Sequence, residues 1–157
     1  MSSDGWAAII AAGIAATVVL IGYLVQQWFA RKERRAAIFS EALRAVEDYL
    51  EAPYRIQRKD RSDATRQILV THISDIQSRI SYHQALLGIY GPQKVADGYA
   101  RLVEAARAEA GNQMTTAWRE KPMRKGDEVP LVKRFDRTKS DQEKSALLKI
   151  MRGRKLR

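Results

Sequence analysis

His72, Asp75 and His83 are the residues of this chain whose types could combine imidazole with carboxylate, for proton transfer or for holding a metal ion. The surrounding pattern predicts one helix for all three, and His72 and Asp75, at i and i+3, share a face of it. His83 lies eleven residues beyond His72, about 16 Å along a helix axis, too far for both rings to ligate one ion at about 2.1 Å. The chain has two His and no Cys, so nothing else of that kind is at hand to close such a site. Absence of Cys also excludes a disulfide framework, a thiolate zinc site, an iron–sulfur cluster and thiol catalysis. No G-x-x-x-x-G-K-[ST] phosphate loop, G-x-G-x-x-G turn, G-x-S-x-G elbow or H-E-x-x-H helix occurs. The expectation is no enzyme: no catalytic, cofactor-binding or metal residues and no small-molecule substrate. His83 is then a polar member of an apolar helical seam, able to set register or respond to pH.

The elements that carry these residues are set by how charge is laid along the chain. The 157 residues hold 28 Lys plus Arg against 18 Asp plus Glu, a net charge of +10. None of these charges lies between Gly5 and Ala30. Residues 120–157 hold 13 Lys or Arg and 6 Asp or Glu, a net +7, while residues 60–119 sum to +1. A nearly neutral middle therefore lies between a charge-free beginning and a basic end.

From Trp6 to Val25 the chain reads WAAIIAAGIAATVVLIGYLV, twenty residues without a charge, the length needed for a helix to cross a hydrocarbon core of about 30 Å. Its nine Ile, Leu and Val residues contribute roughly 3 to 5 kcal/mol of insertion. Trp6 and Trp28 stand about 33 Å apart on a helix, suited to the two headgroup regions. The n-region has Asp4 and no Lys or Arg, and Gln26, Gln27, Trp28 and Phe29 follow the run in place of a small-residue cleavage site, so an uncleaved signal-anchor is expected. Arg31, Lys32, Arg34 and Arg35 directly after the run place the N-terminus outside and the rest in the cytoplasm of the plasma membrane, with the cations against anionic headgroups. Ala8, Ala12 and Ala16 form a small-residue ridge on which a second membrane helix can pack.

Phe39, Leu43, Val46 and Leu50 recur at spacings of four, three and four, one apolar seam. The spacing predicts a short outer N-terminus (1–5), a transmembrane helix (6–28) and a juxtamembrane continuation (29–52) stopped by Pro53. A linker (53–62) leads to a helical hairpin (63–119). Its first helix carries Leu69, Ile73, Ile76, Ile80, His83, Leu87 and Tyr90 at alternating spacings of four and three, a heptad seam. Gly91-Pro92 separates it from a third helix with Val95, Tyr99, Leu102 and Ala106 on its apolar face, and Gly111 as a break near Ala110. Whether these seams pair within one chain or between chains is open at this level.

Residues 120–157 read as a basic, partly disordered tail containing one short amphipathic helix (140–152), opened by a Ser140 to Glu143 capping box. Such a helix needs a surface to stabilise it, and Lys144, Leu147, Leu148, Lys149, Ile150, Met151 and Arg152 are its expected contacts with anionic lipid or an acidic partner. Phe135 is the only aromatic residue in that tail, which favours lipid over nucleic acid.

The fold expected is all-α: a single-pass transmembrane helix continuing into a small cytoplasmic bundle of about three coiled-coil-like helices, with the basic tail behind it. The function expected is a membrane-anchored scaffold or adaptor that holds protein partners, or copies of itself, through Ile73, Ile76 and Ile80. The alternatives are an accessory or stabilising subunit of a larger membrane complex and, in general layout only, a phage or prophage protein of exclusion or lysis.

Overall fold

The computed structural model describes residues 3–124 and 135–153; within the first helix, side chains are described at residue 13 and from residue 16 onward. Four helices and no strand occur among the described residues: α1 (Ser3–Gln57), α2 (Asp63–Tyr90), α3 (Gln93–Arg119) and α4 (Thr138–Gly153). The chain divides into two compact units, Met1–Ser40 and Glu41–Arg157.

The first unit is helical. Val18, Val19, Leu20, Ile21, Tyr23, Leu24 and Val25 are all exposed, each keeping about half or more of its surface open. Beyond them polar groups pair at helical spacing: Gln27 donates to the Tyr23 hydroxyl at 2.6 Å, and Arg31 to Gln27 Oε1 at 2.7 Å. Lys32 Nζ lies 5.0 Å from the centre of the Trp28 ring, a cation–π distance. Among the described residues no helix is long and apolar enough to cross a membrane. Of the uncharged run 6–25, the side chains of residues 6–12, 14 and 15 lie outside the described set, and with them those of Trp6, Ala8 and Ala12 in the expected interface and packing positions.

The second unit is a bundle with its own core. Ala42, Ala45, Val46, Tyr49, Leu50 and Ile56 of α1 are buried with Leu69, Ile76, Ile80 and Leu87 of α2 and with Tyr99, Leu102, Val103 and Ala106 of α3. The heptad seam of α2 is thus a core seam of its own chain, as its spacing and the intramolecular partners require. Tyr90 departs from it and is 75% exposed.

Three boundaries differ from those expected. Pro53 does not stop α1, which continues to Gln57. Proline removes one backbone donor, and Pro53, Ile56 and Gln57 are buried, so packing offsets the missing bond. Gly111 does not break α3; it is where the Tyr49 hydroxyl packs, 4.0 Å from the place a Cβ would occupy. The turn after α2 does fall at Gly91, whose N–H donates to the Leu87 carbonyl at 2.9 Å. A Cβ there would collide with that same oxygen, so only glycine is accommodated.

The third difference concerns the tail. The described part, residues 135–153, is ordered on the bundle and α4 is longer than the expected 140–152. Its start is capped by Asp136, which accepts from the Thr138 N–H at 3.0 Å and hydroxyl at 2.6 Å. Ser140 is not the cap: its N–H and hydroxyl both donate to Glu109 of α3. Residues 125–134 and 154–157 of the expected tail lie outside the described residues.

Candidate functional site

The surface that stabilises α4 is the bundle itself. Leu147 is fully buried, and its Cδ1 lies 3.0 Å from where a Cβ on Gly98 of α3 would be, with Ile150 Cδ1 at 3.5 Å. Glycine at 98 lets α3 and α4 approach closely. Glu47 of α1 accepts from Arg137 and, at 2.9 Å, from Lys144. Burial of Glu47 raises its pKa, but the hydrogen bonds and charges of Lys144 and Arg137 outweigh this and hold it below its usual value. Tyr54 adds an edge-to-face contact with Phe135, with ring centres 4.6 Å apart, and its hydroxyl accepts from the Phe135 N–H at 2.9 Å.

This corrects the expected lipid-contact set. Leu147 and Lys144 are engaged inside the bundle because α3 and α1 supply the apolar and acidic surface the tail needs. Leu148, Ile150 and Met151 are half-buried, and Lys149 and Arg152 remain exposed. It also corrects the expected partner seam, since Ile76 and Ile80 are buried, Ile73 is half-buried and none of the three faces outward.

An open groove of about 750 Å³ is lined by Lys59, Asp60, Arg61, Ser62, Asp63, Arg66, Val70, Trp118 and Pro122. Its cationic wall is partly committed to structure. Lys59 Nζ donates to the carbonyls of Ala117 at 2.6 Å and Glu120 at 2.9 Å, capping the end of α3, and lies 5.8 Å from the Trp118 ring. Burial lowers the Lys59 pKa, with the Glu120 charge opposing. Asp60 accepts from the Ser62 N–H and hydroxyl, each at 2.8 Å, and Ser62 in turn accepts from the Thr65 N–H to cap α2. The groove is a built junction between the end of α1, the start of α2 and the end of α3.

His72 and His83 are half-buried. His72 Nε2 and His83 Nδ1 have no hydrogen-bond partner among the described residues. His83 packs edge-on against Tyr82, ring centres 5.3 Å apart, and burial lowers its pKa. No group of three or more metal-ligating side chains occurs among the described residues.

What the sequence pattern missed is the outward side of α2. Ile68, Val70, Tyr82, Ile89 and Tyr90 each leave more than half of their surface exposed. Between Gln67 and Tyr90 the only charged residues are Asp75 and Arg79, and Arg79 is tied to Asp48 of α1 at 2.8 Å. Large apolar side chains on a charge-poor surface characterise the centre of protein interfaces. The signal is legible as low charge density in residues 67–90, but the strong buried seam masks it. None of the family models, curated proteins or solved structures compared with this chain matches it.

Proposed function

We propose that this chain is a single-pass, membrane-anchored helical scaffold that presents the outward side of α2 to a protein partner at the cytoplasmic membrane face. The observation that carries the reading is that residues 18–25, which include no charged side chain, are exposed on every side of α1. A helix apolar all round has no water-facing stripe and belongs in a low-dielectric surrounding. Together with the uncharged residues that precede it, this stretch has the length of a membrane span.

Arg31, Lys32, Arg34 and Arg35 then lie against anionic headgroups, each contributing about 1 kcal/mol. Trp28, with Lys32 over its ring, suits the boundary between acyl chains and headgroups. The bundle has a closed core and no metal-ligating cluster among its described residues, and its groove is open. These features support holding and positioning in preference to catalysis.

The test uses the cysteine-free background. Full-length chain in cell membranes, carrying either Ser3→Cys or Ser145→Cys, is washed in alkaline carbonate and labelled with a membrane-impermeant maleimide. Retention in the pellet is expected, with position 3 labelled from outside and position 145 labelled only after permeabilisation. Release by carbonate, or the reverse labelling pattern, overturns the anchor or its orientation.

A further inference from the structure

Helix α2 carries a second seven-residue repeat. Thr71, Ser74, Ser78, Ser81, Ala85 and Gly88 recur at spacings of three, four, three, four and three. Each is exposed, and at Gly88 the space a Cβ would enter is open, with nothing within 4 Å. This seam is displaced by two residues from the buried Leu69, Ile76 and His83 series, about 200° around the helix. One face of α2 is therefore the core of its own chain, and the opposite face is an unpartnered coiled-coil seam.

We propose that this outer seam pairs with the same seam of a second copy of the chain. The first argument is charge. With a net charge of +10, two copies repel wherever their cationic surfaces meet. From Gln67 to Tyr90 the single Arg is already paired with Asp48, so self-contact here opposes only one acidic residue, Asp75, to its counterpart. The exposed positions of α3, with Lys94, Arg101, Arg107 and Arg119, offer no such neutral strip.

The second argument is area. A strip about 36 Å long and about 12 Å wide on each copy covers on the order of 900 Å² in total, the size of a weak specific contact. Small residues at the seam let helix axes approach to about 8 Å, so Ile68, Val70, Tyr82 and Ile89 on either side close over the junction. A weak contact suffices when both copies are held in one membrane, because co-anchoring raises their effective concentration. In that respect the inference rests on the anchored reading above.

The experiment uses full-length chain in native membranes with one introduced cysteine. Ser78→Cys and Ser81→Cys stand mid-seam, close to a two-fold axis whichever way the helices run, whereas Glu104→Cys and Arg107→Cys sit on the exposed side of α3. A short bismaleimide should give covalent dimers at 78 and 81 and not at 104 or 107. Ala85→Arg in the Ser81→Cys background places a bulky cation on the seam, and it should lower the dimer yield at least about tenfold, a change of about 1.4 kcal/mol, with helical content unaltered. Absence of dimer at 78 and 81, equal dimer on α3, indifference to Ala85→Arg, or cross-linking of the seam only to a different protein each overturns self-pairing. Carbonate retention of the same samples reads the anchor separately, so loss of one reading is distinguishable from loss of the other.

Discussion

The Tyr99 hydroxyl donates to the Ala42 carbonyl oxygen at 3.1 Å, deep in the bundle. Tyr99 is fully buried, and burial pushes its pKa well above the usual tyrosine value, with Arg107 opposing. The bond joins α1 to α3 at a point where neither partner meets water. Tyr99→Phe keeps the ring and removes the donor, while the Ala42 carbonyl keeps its place in the α1 ladder. A loss of about 1 kcal/mol is expected, measured by urea denaturation of the full chain. No loss would mean that the hydroxyl contributes nothing beyond what water gives it when unfolded.

Leu147 holds α4 on the bundle. Leu147→Ala removes a fully buried side chain and leaves a void against Gly98, for an expected cost of about 2 to 5 kcal/mol. The loss should be local first, because α4 is the last element and its contacts are replaceable by water. Hydrogen exchange should therefore quicken in residues 146–151 while Ile76, Ile80 and Leu102 stay protected. Uniform quickening would instead make α4 part of one cooperative unit with the core.

Much of the bundle is legible in the sequence because heptad spacing reports burial directly. Leu69, Ile76, Ile80 and Leu87 follow from period alone and are buried. Pro53 and Gly111 mislead because local propensity takes no account of the packing that overrides it: Pro53 is buried within α1, and Gly111 makes room for Tyr49. The basic tail misleads for a different reason. Its net charge suggests self-repulsion and disorder, yet Arg137 and Lys144 meet Glu47, ninety or more residues away, and no local rule can find such a pair. The outward seam of α2 is present as letters, but small residues carry little hydrophobic weight, so their period is hidden under that of Leu and Ile.

Glu47 makes α4 docking sensitive to acid. Its folded pKa is below the usual carboxylate value of 4.5. A depressed carboxylate pKa means the folded state binds fewer protons than the unfolded one, so its contribution is present above pH 4.5 and is lost as pH falls through the folded pKa. Two cations then lose their partner: Lys144, whose pKa is raised by its hydrogen bond to Glu47, and Arg137, where burial is outweighed by the same carboxylate. Protection in α4 should fall with acid from about pH 4.5 downward and that fall should be flattened in Glu47→Gln, which has lower protection throughout. An unchanged acid response in Glu47→Gln would assign it to Asp60 or Asp136, whose pKa values are also lowered.

His83 sets a separate and milder window. Burial disfavours its imidazolium and Arg79 adds to this, while Glu41 opposes, and the net effect is a pKa below the usual 6.5. For a base the lowered value means that the folded state releases its proton more readily than the unfolded chain. Stability is then complete above pH 6.5 and declines as pH falls below it, until the folded form is also protonated. The half-buried ring lies in the α2 core seam with Nδ1 unpartnered among the described residues, so charging it strains the contact of α2 with its own bundle. Urea midpoints of the full chain should fall between about pH 6.5 and 5, above the range in which Glu47 titrates. His83→Gln keeps a polar side chain of similar reach and cannot titrate, so its midpoint should be flat across that interval. A slope retained in His83→Gln would move the effect to His72, the one other histidine of the chain.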